Sequence, residues 1–264
     1  MKRVIKKDNT HHLKNEELHN LQDPELFKKI QKELESIRFL EFPQFKFDIN
    51  ELQSNLQDAE DQHPFLDKLK KTWKSIPLRS VNGLDGKRGN EGGNLNNSPD
   101  PDKYQDTPVM NSCPYIKEIL NSLNVPLLKV RLMSLEPNRL LPEHTDDFND
   151  DRILRIHIPI ITHSDVLFYV DGKAKNLKAG TMCYANVRKT HKVHNKSDIT
   201  RVHLVFDIWV TDEFIMDTLN PTIEKYKEIL STTSGTHPHS IVKTSLIQNP
   251  RPKTRKMVRF KQQN

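Results

Sequence analysis

From residue 127 to residue 210 apolar side chains recur at every second position in one short segment after another, a period that suits half-buried strands and no helix. Leu128, Val130 and Leu132 alternate with Lys129, Arg131 and Met133. Leu154, Ile156, Ile158 and Ile160 fall on one side of the next segment, with Arg155, His157 and Pro159 on the other. Shorter segments follow at 166–170 and 181–187, and a last one sets Arg201, His203, Val205 and Asp207 against Val202, Leu204, Phe206 and Ile208. Turn residues separate them: Glu136-Pro137-Asn138, Asp171-Gly172 and Gly180. Such a series predicts a mainly β fold with flanking α-helices, an antiparallel double sheet of the jelly-roll, cupin-like kind. Both faces of the 153–161 strand are expected to be partly enclosed, one by apolar packing and one by something that wants a guanidinium and an imidazole.

The flanks read as helices and loops. Asp23-Pro24 opens a helix with Leu26, Ile30, Leu34 and Ile37 as its stripe. Residues 39–47 form a candidate edge strand, where Pro43 argues against a central place. A second helix is expected over about 64–74, carrying Phe65, Leu66, Leu69 and Trp73. Five of the eight glycines lie between 83 and 93, which makes 80–111 a lid-like loop. Ser112 is positioned to cap a short helix with Pro114 in its first turn, and 211–230 reads as helix broken at Asn220-Pro221. The organisation expected is a flexible basic tail at 1–16, a single catalytic jelly-roll domain at 17–230 with its roll core at about 112–210, and a second basic tail at 231–264. A length of 264 residues suits one such domain.

The charge of +6 belongs to the ends. Ten of the 41 Lys and Arg lie in residues 1–8 and 251–264, which hold one acid, leaving 31 bases against 34 acids elsewhere. That distribution argues against specific nucleic-acid binding. Apolar runs are strand-sized, so no membrane span is expected. The basic start is not followed by an apolar stretch, and a cytoplasmic location follows as the expectation. Cys113 and Cys183 have no metal-ligand spacing and suit a reducing compartment.

Chemistry concentrates between His144 and Arg201. His144 and Asp146 are two apart, so they project to one side of an extended segment. His191 follows after 44 intervening residues, room for about three strands to cross the roll and return. Two imidazoles and one carboxylate can hold three neighbouring positions on Fe(II) and leave the others for a co-substrate and O2. Arg201, ten residues beyond His191, is a fixed fork suited to the distal carboxylate of a dicarboxylate such as 2-oxoglutarate. His194 competes with His191 as the distal ligand, although its spacing to Arg201 is seven. Arg155 has a second reading as the ion-pair partner of an acid at 146–151. Those acids could suggest calcium, but the stretch lacks the glycine and terminal Glu of an EF-hand loop. Arg79, Trp73 and His203 are further candidates for contact with substrate.

The stretches RLMSLEPNRLLPEHTD, RIHIPIITHSDVLFYVDGK and LKAGTMCYANVRKTHKVHNKSDITRVHLVFDI resemble the aspartyl/asparaginyl β-hydroxylase family, including its bacterial proline cis-hydroxylase relatives. The resemblance covers about residues 112–210. It implies a double-stranded β-helix and an Fe(II)- and 2-oxoglutarate-dependent dioxygenase that hydroxylates an amino-acid side chain, free or within a polypeptide. It also implies iron ligands at His144, Asp146 and His191, a 2-oxoglutarate anchor at Arg201, and co-substrate or substrate contacts from Arg155 and His157. The animal peptide hydroxylases of the family lack the carboxylate ligand, whereas bacterial members resemble this chain in keeping it. The alternative function is a non-catalytic, metal-binding cupin-like sensor or interaction protein.

Overall fold

The computed structural model describes residues 22–66, 73–86 and 98–234; the rest, including both basic ends and residues 87–97 of the glycine-rich loop, lies outside the described residues. Helix α1 (Pro24–Ser36) starts at Asp23, whose carboxylate accepts from the amides of Glu25 and Leu26. Strand β1 (Phe39–Lys46) follows, then α2 (Ile49–Gln62), β2 (Trp73–Val81) and a three-residue β3 (Tyr104–Asp106) between two 3-10 turns. Helix α3 (Pro114–Ser122) leads into β4 (Leu127–Leu135), β5 (Arg139–His144), β6 (Ile153–Ile161), β7 (Val166–Val170), β8 (Lys173–Lys175), β9 (Thr181–Ala185), β10 (His191–Asn195) and β11 (Arg201–Trp209). One helical turn (Asp212–Phe214) and a π-helical turn (Ile215–Leu219) precede α4 (Asn220–Ser234). No helix among the described residues is long and apolar enough to cross a membrane.

The strands form two antiparallel sheets, a major one in the order β1-β9-β6-β11-β4-β2-β3 and a minor one in the order β5-β10-β7-β8. This is the jelly roll that the alternation predicts. The even-numbered residues of β4, β6 and β11 (Val130, Leu132, Ile156, Ile158, Leu204, Phe206) pack outward with Ile30 and Leu34 of α1, Leu52 and Leu56 of α2, and Ile116 and Ile119 of α3. Between the sheets, Phe39, Leu135, Phe168, Val170, Cys183, Ala185 and Val193 make a second apolar cluster. The β7–β8 turn is Asp171-Gly172, both with positive φ (46° and 70°), as a tight hairpin of this hand requires.

Several local expectations are corrected. The second helix lies at Ile49–Gln62, not at 64–74: Trp73 and Lys74 open β2, and 67–72 lie outside the described residues. Its narrow stripe of Leu52, Leu56 and Ala59 sits in a mostly polar sequence, which hides it, although Asp48 caps it in the usual way. The 80–111 segment is not all loop, since β2 runs to Val81 and β3 pairs with it. Ser112 does not cap α3. Its hydroxyl donates to the Val109 carbonyl, while Asn55 Oδ1 of α2 accepts from the amides of Tyr115 (2.9 Å) and Ile116 (3.1 Å). Pro43 does fall on an edge strand, where the β1–β9 register shifts between Phe42 and Lys46.

A cap supplied from another helix couples the two helices. Asn55→Ala leaves two helix-start amides without their acceptor and is expected to lower stability by about 1–3 kcal/mol at unchanged m-value in urea unfolding.

Candidate metal centre

His144 ends β5 and His191 begins β10, and the antiparallel register sets the two residues directly opposite each other. Their rings lie 4.1 Å apart between centroids. Asp146 follows β5 by two residues and is fixed by its own amide, which donates to the Val187 carbonyl at 2.8 Å. His144 Nε2 is 3.8 Å from Asp146 Oδ1, and His191 Nε2 is 4.0 Å from Asp146 Oδ2. One donor atom from each of the three residues lies within 4.8 Å of the others, the one group of three such residues found among the described residues.

The tautomers suit a metal. His144 Nδ1 faces the Pro142 carbonyl at 2.8 Å and His191 Nδ1 faces the Lys189 carbonyl at 3.0 Å. A ring nitrogen facing a carbonyl must carry the proton, so both Nε2 lone pairs are free. Phe168 of β7 stacks on His191, 5.8 Å between centroids at 17°. His194 lies in an outward position of β10, opposite Leu140 and Leu167, which removes it as the rival ligand. The acids that could suggest calcium are dispersed: Asp150 accepts from Trp209 Nε1 and the Arg152 amide, and Asp151 pairs with Arg188.

Arg155 occupies an inward position of β6 and joins two carboxylates. Its Nε and Nη2 donate to Asp207 Oδ1 and Oδ2 at 2.7 and 2.8 Å, and its Nη1 donates to Asp146 Oδ2. Burial pulls the guanidinium's pKa down, but the two carboxylates more than offset this and hold it above its ordinary value. Burial would raise the carboxyl of Asp207, yet Arg155 keeps it below the usual range. The ion-pair reading of Arg155 is therefore correct, and the pair it makes is with a candidate metal ligand. Asp207, which shares that inward face in the sequence, takes a part that its position alone did not assign.

Deeper in the roll, Arg201 is 4 % exposed, and no carboxylate among the described residues pairs with it. Its Nη1 reaches the Met133 carbonyl at 3.4 Å and its Nε has no partner. His157 and His203, 5.8 Å apart between ring centroids, have no hydrogen-bond partner at either nitrogen among the described residues. Burial first, and then the charge of Arg201, hold both imidazoles well below the ordinary value. Buried polar atoms are nearly always bonded, so this group is a candidate site for a polar, anionic ligand. Asn195 Nδ2 donates to the carbonyls of Leu135, Glu136 and Ile199 at 3.0, 3.0 and 2.8 Å, pinning the turn that leads into Arg201.

The remaining candidates sit elsewhere. Arg79 is held by Asp106, which also holds Lys117 of α3, and by the Leu127 carbonyl. Trp73 is registered opposite Leu135, itself opposite Arg201, at the far end of the inner face.

The sequence profile of the aspartyl/asparaginyl beta-hydroxylase family matches residues 25–211, and the chain belongs to that family. It is thus an enzyme of the 2-oxoglutarate-dependent hydroxylase class, with a His-Asp-His site suited to iron. No curated protein matches the chain. Among solved structures it is similar to a 2OG-Fe(II) oxygenase family oxidoreductase from Burkholderia pseudomallei, at 14 % identity over 69 % of this chain and 89 % of that one, TM-score 0.45. It is also similar to a prolyl-4-hydroxylase from Pseudomonas putida, at 10 % identity over 69 % and 97 %, TM-score 0.40. Both likenesses are distant, and the site stands on its own geometry.

The buried imidazoles make stability depend on pH. In the unfolded chain His157 and His203 take up protons as pH falls through about 6.5, whereas in the fold they stay neutral. Their contribution is therefore flat above that pH and turns unfavourable below it. The melting temperature of the ligand-free protein is expected to fall from about pH 6.5 to 5, and His157→Asn/His203→Asn is expected to flatten part of that slope.

Proposed function

We propose that this protein hydroxylates an amino-acid side chain, free or within a peptide, using Fe(II), 2-oxoglutarate and O2 and releasing succinate and CO2. The observation that carries the reading is the pair of Nδ1-tied imidazoles and one Arg155-held carboxylate converging at the mouth of an interior that buries an unpaired guanidinium. His144, Asp146 and His191 would hold the iron through two neutral nitrogens and one oxygen. When bound, iron and 2-oxoglutarate supply the oxygen activation that no side chain of this protein can provide.

The chain's own residues position and exclude. Arg201 offers a bidentate fork to the distal carboxylate of 2-oxoglutarate, with His203 and His157 as neutral ring partners beside it. Arg155, immobilised by both oxygens of Asp207, orients Asp146 with its remaining nitrogen. Phe168 covers one face of His191 and meets His157 edge-on at 5.4 Å, keeping water from the space between metal site and anion site.

Succinate formation requiring both iron and 2-oxoglutarate is the test, read by mass spectrometry together with the gain of one oxygen atom across a panel of amino acids. His144→Ala is expected to lose metal affinity by more than the roughly 10–100-fold typical of removing a hydrogen-bond partner behind a ligand and to abolish turnover. Arg201→Gln is expected to raise the KM for 2-oxoglutarate at least about 30-fold, as loss of a buried charge partner does, while metal binding by calorimetry stays unchanged. Succinate formation that persists in His144→Ala would overturn the proposal.

A further inference from the structure

The turn between β9 and β10, residues 186–190, reaches two of the three candidate metal ligands through its own backbone. The Val187 carbonyl accepts from the Asp146 amide at 2.8 Å, and the Lys189 carbonyl accepts from His191 Nδ1 at 3.0 Å. The first bond fixes where the carboxylate starts. The second fixes which nitrogen of the imidazole keeps its proton. Two ligands from different strands are therefore aimed by carbonyls two residues apart, and a displacement of the turn moves both.

Asn186, at the head of the turn, is 4 % exposed and bonded to the end of α1. Its Nδ2 donates to the carbonyls of Leu34 and Ile37, both at 3.1 Å, and its backbone amide donates to the Arg38 carbonyl at 2.9 Å. Its own carbonyl accepts from the Lys189 amide at 3.1 Å, which closes the turn. The last carbonyls of a helix lack partners within it, so a buried helix end needs a donor from elsewhere. Among short side chains only asparagine carries two hydrogens on one atom; aspartate has none and serine has one. Asn186 Oδ1 has no hydrogen-bond partner among the described residues, so the side chain serves through its donors. Arg188 and Lys189 fasten the outer side of the turn, to the carbonyls of 150, 151 and 153 and to Asp171, through long side chains that are about one-third exposed. Packing does not fill the space between. A cleft of about 570 Å³ opens there, with Phe27, Gln31 and Leu34 of α1 among its walls on one side and Arg188 and Lys189 on the other.

We propose that Asn186 is a positioning residue of the metal centre: by tying the β9–β10 turn to the end of α1, it holds the two carbonyls that aim Asp146 and His191. This deepens the functional reading above and rests on it for the ion that is bound. A cap whose work ended at its helix would stabilise α1 and leave the ligands alone. Here the capping side chain and both carbonyls share one four-residue segment, so the bonds that finish α1 also set where the ligand atoms stand.

Asp23 caps the opposite end of α1 and supplies the control. Asn186→Ala and Asp23→Ala each remove a cap, and both are expected to lower the melting temperature of the full chain. In calorimetry with Mn(II), Asn186→Ala is expected to bind about 10–100-fold more weakly than wild type, as loss of a hydrogen-bond partner behind a ligand does, with Asp23→Ala within about 2-fold. Nitrogen-correlated NMR of the metal-free protein at about pH 8, above the imidazole titration range, reads the ring itself. The His191 signals, identified by their loss in His191→Gln, are expected to show a single Nδ1–H tautomer in wild type and Asp23→Ala, and a mixture of tautomers in Asn186→Ala. Asn186→Ser keeps one donor, is expected to fall between the two, and carries the same measurements if the alanine variant does not fold. Metal affinity of Asn186→Ala within about 2-fold of wild type, an equal loss in Asp23→Ala, or an unmixed tautomer would overturn the proposal. Failure of wild type to bind Mn(II) would instead remove the functional reading, and the tautomer comparison would still decide what Asn186 does.

Discussion

The interior of this roll depends on one guanidinium. Arg155 spends two nitrogens on both oxygens of Asp207 in the neighbouring strand β11 and a third on Asp146, beyond the end of β5. It thereby connects the major sheet to the segment that carries the carboxylate of the candidate metal centre. Removing it would leave two partly or wholly buried carboxylates without a counter-charge, a loss of about 3–5 kcal/mol in comparable sites. The same bonds keep Asp146 from rotating, so stability of the sheet and orientation of the ligand come from one interaction.

Polar groups in the protein fall into two kinds. Arg152 is a satisfied one: it donates to the carbonyls of Val210 and Asp23 and to Asp212, and its plane lies over Phe27 and Trp209. Asn195 is another, with every hydrogen of its amide used. These fasten α1 and the β10–β11 turn to the roll. Arg201, His157, His203 and Arg131 are of the opposite kind, buried and incompletely bonded, and they cluster on the one face that strand alternation turns away from the helices. A fold that tolerates such groups sacrifices stability where binding needs it.

Much of this was legible in the sequence, because period two assigns each side chain of a strand to a face. The facing of Arg155, His157, Arg201 and His203 follows from alternation in two strands, and the opposition of His144 and His191 follows once those strands are joined by turns of the right kind. The choice between His191 and His194 needed the sheet: residues three apart on a strand point to opposite sides, but only the pairing shows which of the two faces inward. Helix α2 escaped because two leucines and an alanine carry its buried face, and the cap of α3 escaped because Asn55 is sixty residues away.

Because His144 and His191 are a cross-strand pair, an ion held between them is also a register pin. A slip of one residue in β10 would bring Lys192 opposite His144 and turn His191 to the outside, so only one alignment of the minor sheet can close on a cation. The β5–β10 pairing is itself irregular, shifting register between His191 and Val193, and β5 is largely exposed. The ion would then act as a keystone for the weaker of the two sheets, selecting its alignment as well as serving its chemistry.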